Sequence, residues 1–193
     1  MRVRHSALVR VTHWTTVASF AALVVSGVAI LLAHPRLYWG ETGALGGPSL
    51  VDLPLPMMLT GQSGWGRYLH FLSAWICVLT GAVYVLGGMR ARHFRNDWFR
   101  PSDPPKYTVP QRVVYTAVVF VLFPLMIWTG FAMSPAITSV VPGVVTALGG
   151  QQSARTIHFV VANLLILFVV GHVVMVAAAG FGRHVGAMIL GRA

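Results

Sequence analysis

The chain is poor in acid and nearly without cysteine, with four Asp plus Glu and one Cys in 193 residues. The lone Cys77 excludes a disulfide framework and a C-x-x-C-H haem attachment, and it rules out iron–sulfur ligation by this chain alone. Any haem must then be held non-covalently, and Cys77 itself reads as a small buried apolar residue. Charged residues make up only 9% of the chain, and its long apolar runs contain no Asp or Glu. A metal or proton transporter with a histidine relay is disfavoured, because such relays pair histidine with carboxylates inside the membrane.

Apolar sequence fills the space that charge leaves. Hydrophobic residues are 56% of the chain and the mean hydropathy is +0.72, far from the balance of a soluble domain. A bilayer core needs about 20 apolar residues per helix, and four runs qualify: 11–33, 68–89, 113–133 and 157–180. They predict an all-α integral membrane four-helix bundle, a single domain over 1–193 with no room for a soluble one. The first run is too long for a signal-peptide apolar region and lacks an A-x-A-like end, so it is expected to be a retained helix.

The formal net charge of +10 would suit nucleic acid in a soluble protein. In a membrane protein the distribution of Lys and Arg across short loops sets orientation instead, so no nucleic-acid partner is expected. Arg2, Arg4 and Arg10 precede the first run, Arg90, Arg92, Arg95, Arg100, Lys106 and Arg112 lie between the second and third, and Arg183 and Arg192 follow the fourth. Only Arg36, Arg67 and Arg155 fall on the other side. Both termini are thus predicted to be cytoplasmic in a bacterial inner membrane, with lipid as the immediate partner.

The connection 34–66 carries Pro35, Pro48, Pro54 and Pro56 and a glycine-rich centre, which argues against one continuous helix. Its apolar residues Leu37, Tyr38, Trp39, Leu53, Leu55, Met57, Met58 and Leu59 predict, together with the connection 134–154, an exposed outer docking surface for a partner. The connection 134–154 is expected to form a short interfacial segment, and the basic, proline-punctuated 90–112 to lie on the anionic cytoplasmic leaflet.

Histidine supplies the chemistry. Three of the eight share one frame, Arg10-x-x-His13, Arg67-x-x-His70 and Arg155-x-x-His158, and His172 lies fourteen residues beyond His158. Intramembrane histidines default to a functional reading. His13 near the start of the first run and His172 near the end of the fourth share cytoplasmic depth; His70 and His158 share the outer depth. Fourteen residues at 1.5 Å rise separate His158 and His172 by about 21 Å, within roughly 40° of one helix face. Haem b in a helical bundle takes two imidazoles from opposing helices at one level, so the four histidines predict two bis-histidine haems. Each arginine three residues before a ligand shares its face, and Arg10, Arg67 and Arg155 are expected to pair with haem propionates. Gly27 and Gly81 read either as relief for a macrocycle or as helix-packing glycines. His5, His34, His93 and His184 lack depth-matched partners and read as interfacial.

These residues resemble a known group: RVTHW at 10–14, RYLHF at 67–71, KYTVPQRVVY at 106–115, TGFAMSP at 129–135, RTIHF at 155–159 and GHVVM at 171–175. Over nearly its whole length the chain is similar to bacterial b561-type dihaem membrane cytochromes, the cytochrome b subunits of hydrogenases, formate dehydrogenases and thiosulfate-reductase-like complexes. The resemblance implies that His13 and His172 ligate the cytoplasmic-side haem and His70 and His158 the periplasmic-side haem. It also implies electron transfer between the quinone pool and a periplasmic oxidoreductase subunit carrying molybdenum, with quinone as exchangeable substrate near the inner haem. The family's K-Y-N-x-x-Q segment gives Lys106, Tyr107 and Gln111 as quinone residues; here Thr108 replaces the asparagine. A second reading is a self-sufficient membrane oxidoreductase, such as a superoxide:quinone oxidoreductase, in which the outer haem meets a small redox substrate directly.

Overall fold

The computed structural model describes residues 6–53, 63–99 and 108–191. In chain order they form α1 (Ala7–Ala33), β1 (Arg36–Leu37), β2 (Val51–Asp52), α2 (Ser63–Arg90), a π-helical turn (Phe94–Phe99) and α3 (Val109–Ala117). A second π-helical turn (Val118–Leu122) leads into α4 (Phe123–Ala132), followed by single-turn α5 (Pro135–Thr138) and α6 (Gly143–Thr146), α7 (Gln151–Ala178) and α8 (Phe181–Leu190). The fold is all-α apart from the two-residue strand pair. Four helical stretches are long and apolar enough to cross a membrane: Ala7–Ala33, Gly64–Arg90, Val109–Ala132 and Gln151–Ala178.

Each span starts four to six residues before the apolar run that predicts it. Each added first turn carries an arginine (Arg10, Arg67, Arg112 or Arg155), and in α1 and α3 a cap rather than hydropathy defines the start. Ser6 accepts a hydrogen bond from Val9 N at 3.3 Å to open α1. Thr108 and Gln111 form a capping box at the start of α3. The fourth helix ends at Ala178 rather than at 180, because Gly180 turns into the left-handed region at φ 104°.

Backbone contacts divide the chain into two compact units, one of Met1–His34, Pro56–Tyr107 and Gly171–Ala193, the other of Pro35–Leu55 and Thr108–Val170. In the first unit α1 and α2 pack as an antiparallel hairpin. Gly66, early in α2, approaches the end of α1 so closely that a methyl group there would sit 3.3 Å from Ala29 Cβ, while Gly87 lies against Leu8 at the other end. The α1 side of the seam is Thr12, Ser19 and Ser26, seven residues apart and all buried; Ser73 and Cys77 are buried on α2. Small residues allow such approach where lipid removes the hydrophobic drive between helices. Each α1 hydroxyl donates to its own helix four residues back, Thr12 to Leu8 O at 2.8 Å, Ser19 to Thr15 O at 2.9 Å and Ser26 to Ala22 O at 2.7 Å, so the seam carries polar atoms without orphaning them. Large apolar side chains instead face outward, Val11, Leu79 and Leu86 each more than 60% exposed, as lipid-facing positions of a multi-pass membrane protein do.

Just beyond α2, Phe94 is buried against Gly88, with the Tyr84 ring edge-on to it at 5.7 Å and Tyr84 Oη 3.5 Å from His93 Nε2. His93, expected to be interfacial, is thus anchored to α2. The same unit ties its two chain ends together: Arg10 Nη1 donates to Ile189 O at 2.7 Å and Trp14 Nε1 to Met188 O at 3.1 Å, at the C-terminal turn of α8. Cationic and N–H donors suit those unsatisfied carbonyls.

In the second unit, Pro124 sits in the first turn of α4, immediately after the π-helical Val118–Leu122. The wider turn accommodates a ring that cannot donate and that crowds the carbonyl four residues before it. The connection after α1 folds onto the N-terminus of α7. Gly40 O accepts from Gln152 N at 3.0 Å and Ser153 N at 3.4 Å, Ser153 Oγ accepts from Gly40 N at 2.8 Å, and Thr156 Oγ1 donates to Tyr38 O at 2.6 Å. Gly150, at φ 113°, must be glycine for this: a methyl group would lie 2.5 Å from the Gly40 carbonyl. Strand β1 pairs antiparallel with β2, Arg36 opposite Asp52, and their side chains meet at 3.1 Å; Asp52 pushes the Arg36 guanidinium up from its ordinary value. Leu37 is only 1% exposed, which corrects its place in the expected docking surface: strand pairing turns it inward, whereas Trp39 remains exposed. Of the other residues in that surface, Leu55, Met57, Met58 and Leu59 lie outside the described residues. The connection 134–154, expected as a short interfacial segment, holds α5 and α6, and Trp128 Nε1 donates to Val144 O at 3.2 Å.

Candidate functional site

All four histidines predicted as ligands are described, and each is half-buried within its helix. In the first unit His13 of α1 and His172 of α7 face one another, their ring centroids 6.4 Å apart with 59° between the planes. Metal–nitrogen bonds of about 2 Å to the near nitrogen of each ring would separate the centroids by about 6 Å, so the observed spacing suits one metal between them. Among the described residues no three His, Cys, Asp or Glu side chains converge on one point. Two imidazoles alone match the demand of a haem iron, whose porphyrin supplies the remaining four nitrogens.

The other two histidines are held differently. His70 Nδ1 lies 3.0 Å from Ser26 Oγ in the α1–α2 hairpin. In the second unit, His158 Nδ1 lies 2.9 Å from Thr129 Oγ1, which joins α7 to α4. Each ring also lies against the glycine that follows the hydroxyl: a methyl on Gly27 would sit 3.7 Å from His70 Cε1, and one on Gly130 3.8 Å from His158 Cε1. Gly27, set fourteen residues past His13 in the sequence, therefore borders His70; Gly81 has open space where a methyl would project. Ser26 and Thr129, both fully buried, are site residues that sequence reasoning passes over.

The three frame arginines diverge. Arg10 Nη1 donates to Ile189 O, in α8. Arg67 is exposed and Arg155 half-buried, with Tyr38 within electrostatic reach of Arg155. Arg10 also lines, with Val11, Trp14, Thr15, Met188 and Ile189, an open groove of about 550 Å³, and the Trp14 ring lies edge-on to His13 at 5.3 Å. Of the residues expected near quinone, Lys106 and Tyr107 lie outside the described residues. Gln111 Oε1 accepts from Thr108 N at 2.9 Å, so its amide serves the α3 cap, and Thr108, where the family motif has asparagine, is the capping residue.

The chain is similar to a protein of Azospira oryzae that bears the name of a protein-methionine-sulfoxide reductase subunit, YedZ1, with 27% identity over 197 residues, covering 90% of this chain and 89% of that one. No solved structure matches it. The family model of prokaryotic cytochrome b561 matches residues 4–191, and with four helices able to cross a membrane, the chain belongs to that family of b-type haem membrane cytochromes.

Proposed function

We propose that this protein is the dihaem electron-transfer subunit of an oxidoreductase complex, passing electrons between quinone and a periplasmic catalytic partner. The observation that carries this reading is the meeting of His13 and His172 at a spacing suited to one iron. His13 and His172 would hold the cytoplasmic-side haem b, and His70 and His158 the periplasmic-side one, as their positions along the spans imply. Bound haem supplies reversible one-electron chemistry. The chain's part would be to hold each haem through its histidines, orient the imidazoles and exclude water with apolar helices.

The charge bias that places both termini in the cytoplasm also places His70 and His158 nearest the periplasmic partner, with Arg67 and Arg155 on their propionates. For the partner, the name of the Azospira relative supports a reductase, so electrons run from quinol outward, and the resemblance to thiosulfate-reductase-type anchors supports molybdenum in it. Quinone exchange is assigned to the groove between Arg10, Trp14 and Met188, because it is open, largely apolar and lined by Trp14, whose ring lies edge-on to that of His13 at 5.3 Å. Gln111, occupied by its cap, is the weaker candidate.

The test is a reduced-minus-oxidised spectrum and haem count of the purified chain, expected to give two b-type haems, followed by reoxidation of quinol-reduced haem when the partner is added. One haem per chain overturns the dihaem reading. Turnover of a small substrate such as superoxide without any partner replaces the subunit reading with the self-sufficient enzyme.

A further inference from the structure

The two histidines that do not face each other within one unit are each bound to a hydroxyl, and the two arrangements repeat in detail. On α1 the sequence is Ser26-Gly27-Val28-Ala29; on α4 it is Thr129-Gly130-Phe131-Ala132. Ser26 Oγ lies 2.7 Å from Ala22 O and 3.2 Å from Leu23 O, and Thr129 Oγ1 lies 2.9 Å from Leu125 O and 3.0 Å from Met126 O. A carbonyl oxygen only accepts, so at these distances the hydroxyl proton must point to the helix backbone. What each hydroxyl presents to the imidazole is then a lone pair. A lone pair 3.0 or 2.9 Å from Nδ1 requires a proton on that nitrogen. For His70 the Leu23 carbonyl offers the ring a further acceptor on the same helix.

We propose that Ser26 and Thr129 are positioning residues that fix His70 and His158 in the Nδ1–H tautomer, so that Nε2 is the atom offered to haem iron. This deepens the haem-ligand reading and rests on it. A ligating imidazole is oriented, and its basicity raised, by an acceptor on its other nitrogen. Here the acceptor is a hydroxyl whose own proton is fixed by the helix that carries it, so each ring's plane is set by a neighbouring helix. The glycine after each hydroxyl leaves ordinary van der Waals room for the ring edge even with a methyl added, and a side chain larger than alanine's at that step would push it off the hydroxyl. The tetrad Ser/Thr-Gly-x-Ala occurs on the membrane span preceding each of these two Arg-x-x-His spans, and the contact between helices is what gives it this meaning.

The experiment uses the full-length protein carrying its haems. Ser26→Ala and Thr129→Val remove the acceptor, while Ser26→Thr and Thr129→Ser keep it. The readouts are the electron paramagnetic resonance g values and the midpoint potential of each haem, with the haem of His13 and His172 as internal reference. His70→Ala and His158→Ala are run alongside. Loss of an acceptor weakens the ligand more for ferric than for ferrous iron, so the expected result is altered g values and a raised potential for one haem. A tenfold loss of ferric over ferrous affinity corresponds to about 59 mV for one electron, and binding of that haem should weaken about 10- to 100-fold. The hydroxyl-keeping variants should restore both readouts.

Unchanged g values and potentials in Ser26→Ala and Thr129→Val, with His70→Ala and His158→Ala losing a haem, overturn the inference and leave the haem reading intact. Equal damage from Ser26→Thr and Ser26→Ala, and from Thr129→Ser and Thr129→Val, also overturns it, since packing and not hydrogen bonding would then be at stake. Full haem retention in both histidine variants overturns the haem reading, and the inference with it. Valine keeps threonine's shape, so the Thr129 arm stands even if Ser26→Ala does not fold.

Discussion

His13 and His172 meet ring to ring, whereas His70 and His158 are each held by a hydroxyl from a neighbouring helix. The first arrangement is defined by how α1 and the end of α7 pack, and anything that shifts either helix shifts both rings. In the second, each ring is oriented locally by one hydrogen bond within its own unit. Within one family fold, then, a ligand can be placed by helix packing or by a fixed acceptor, and the two should fail in different ways.

The largest test of that contrast is deletion of the imidazoles. His13→Ala and His172→Ala should each remove the same haem and leave the other intact, read from reduced-minus-oxidised spectra; His70→Ala and His158→Ala should both remove the second. If His13→Ala and His172→Ala erased different spectral components, the ring-to-ring pair would not share an iron.

A second perturbation works at a distance. Gly150→Ala forces a residue to φ 113° against the Gly40 carbonyl, at a cost of about 1–3 kcal/mol for the backbone alone. It should loosen the first turn of α7, raising amide exchange at Gln152 and Ser153 and broadening the signal of the His158 haem, with the His13 haem unaffected. Equal disturbance of both haems would mean that the two placements are not independent.

Smaller effects are expected from the arginines. Arg155→Gln should shift one haem potential without loss of haem, as removal of a propionate partner does. Arg10→Gln should instead release Ile189 O and leave both potentials nearly unchanged, detected as faster proteolysis of α8. A potential shift in Arg10→Gln as large as that in Arg155→Gln would restore the propionate role expected of all three frame arginines.

The least disruptive change is Gly27→Ala, where the new methyl meets His70 only at ordinary contact distance, 3.7 Å. Spectra should be unaltered. A lost haem would show that the macrocycle needs that space, the alternative role the sequence leaves open for Gly27.

The spans and the four histidines are legible in the sequence because hydropathy and a rare residue type in lipid are both strong signals. The hydroxyl partners are not, because a Ser or Thr in an apolar helix also serves packing, and only the contact between helices separates the uses. The seven-residue spacing of Thr12, Ser19 and Ser26 was readable in principle as one buried stripe. Thr108-x-x-Gln111 before an apolar run likewise carries the capping-box signature, obscured by its coincidence with a motif of another meaning. Burial of Leu37 comes with the strand pair, a contact between separated segments that no local pattern reports.

The Ser26–His70 hydrogen bond and the small-residue seam of α1 and α2 also set an order of events during synthesis. Both belong to a hairpin complete by Arg90, and chains assemble from the N-terminus as they emerge. His70 is therefore oriented while the second half of the protein is still on the ribosome. His13 meets His172, near the other end of the chain, only after translation has passed α7. On the proposed haem reading, loading at that pair would be a late checkpoint, and a nascent chain stalled before α7 would expose His13 as a half-built ligand to the lipid or to quality-control proteases.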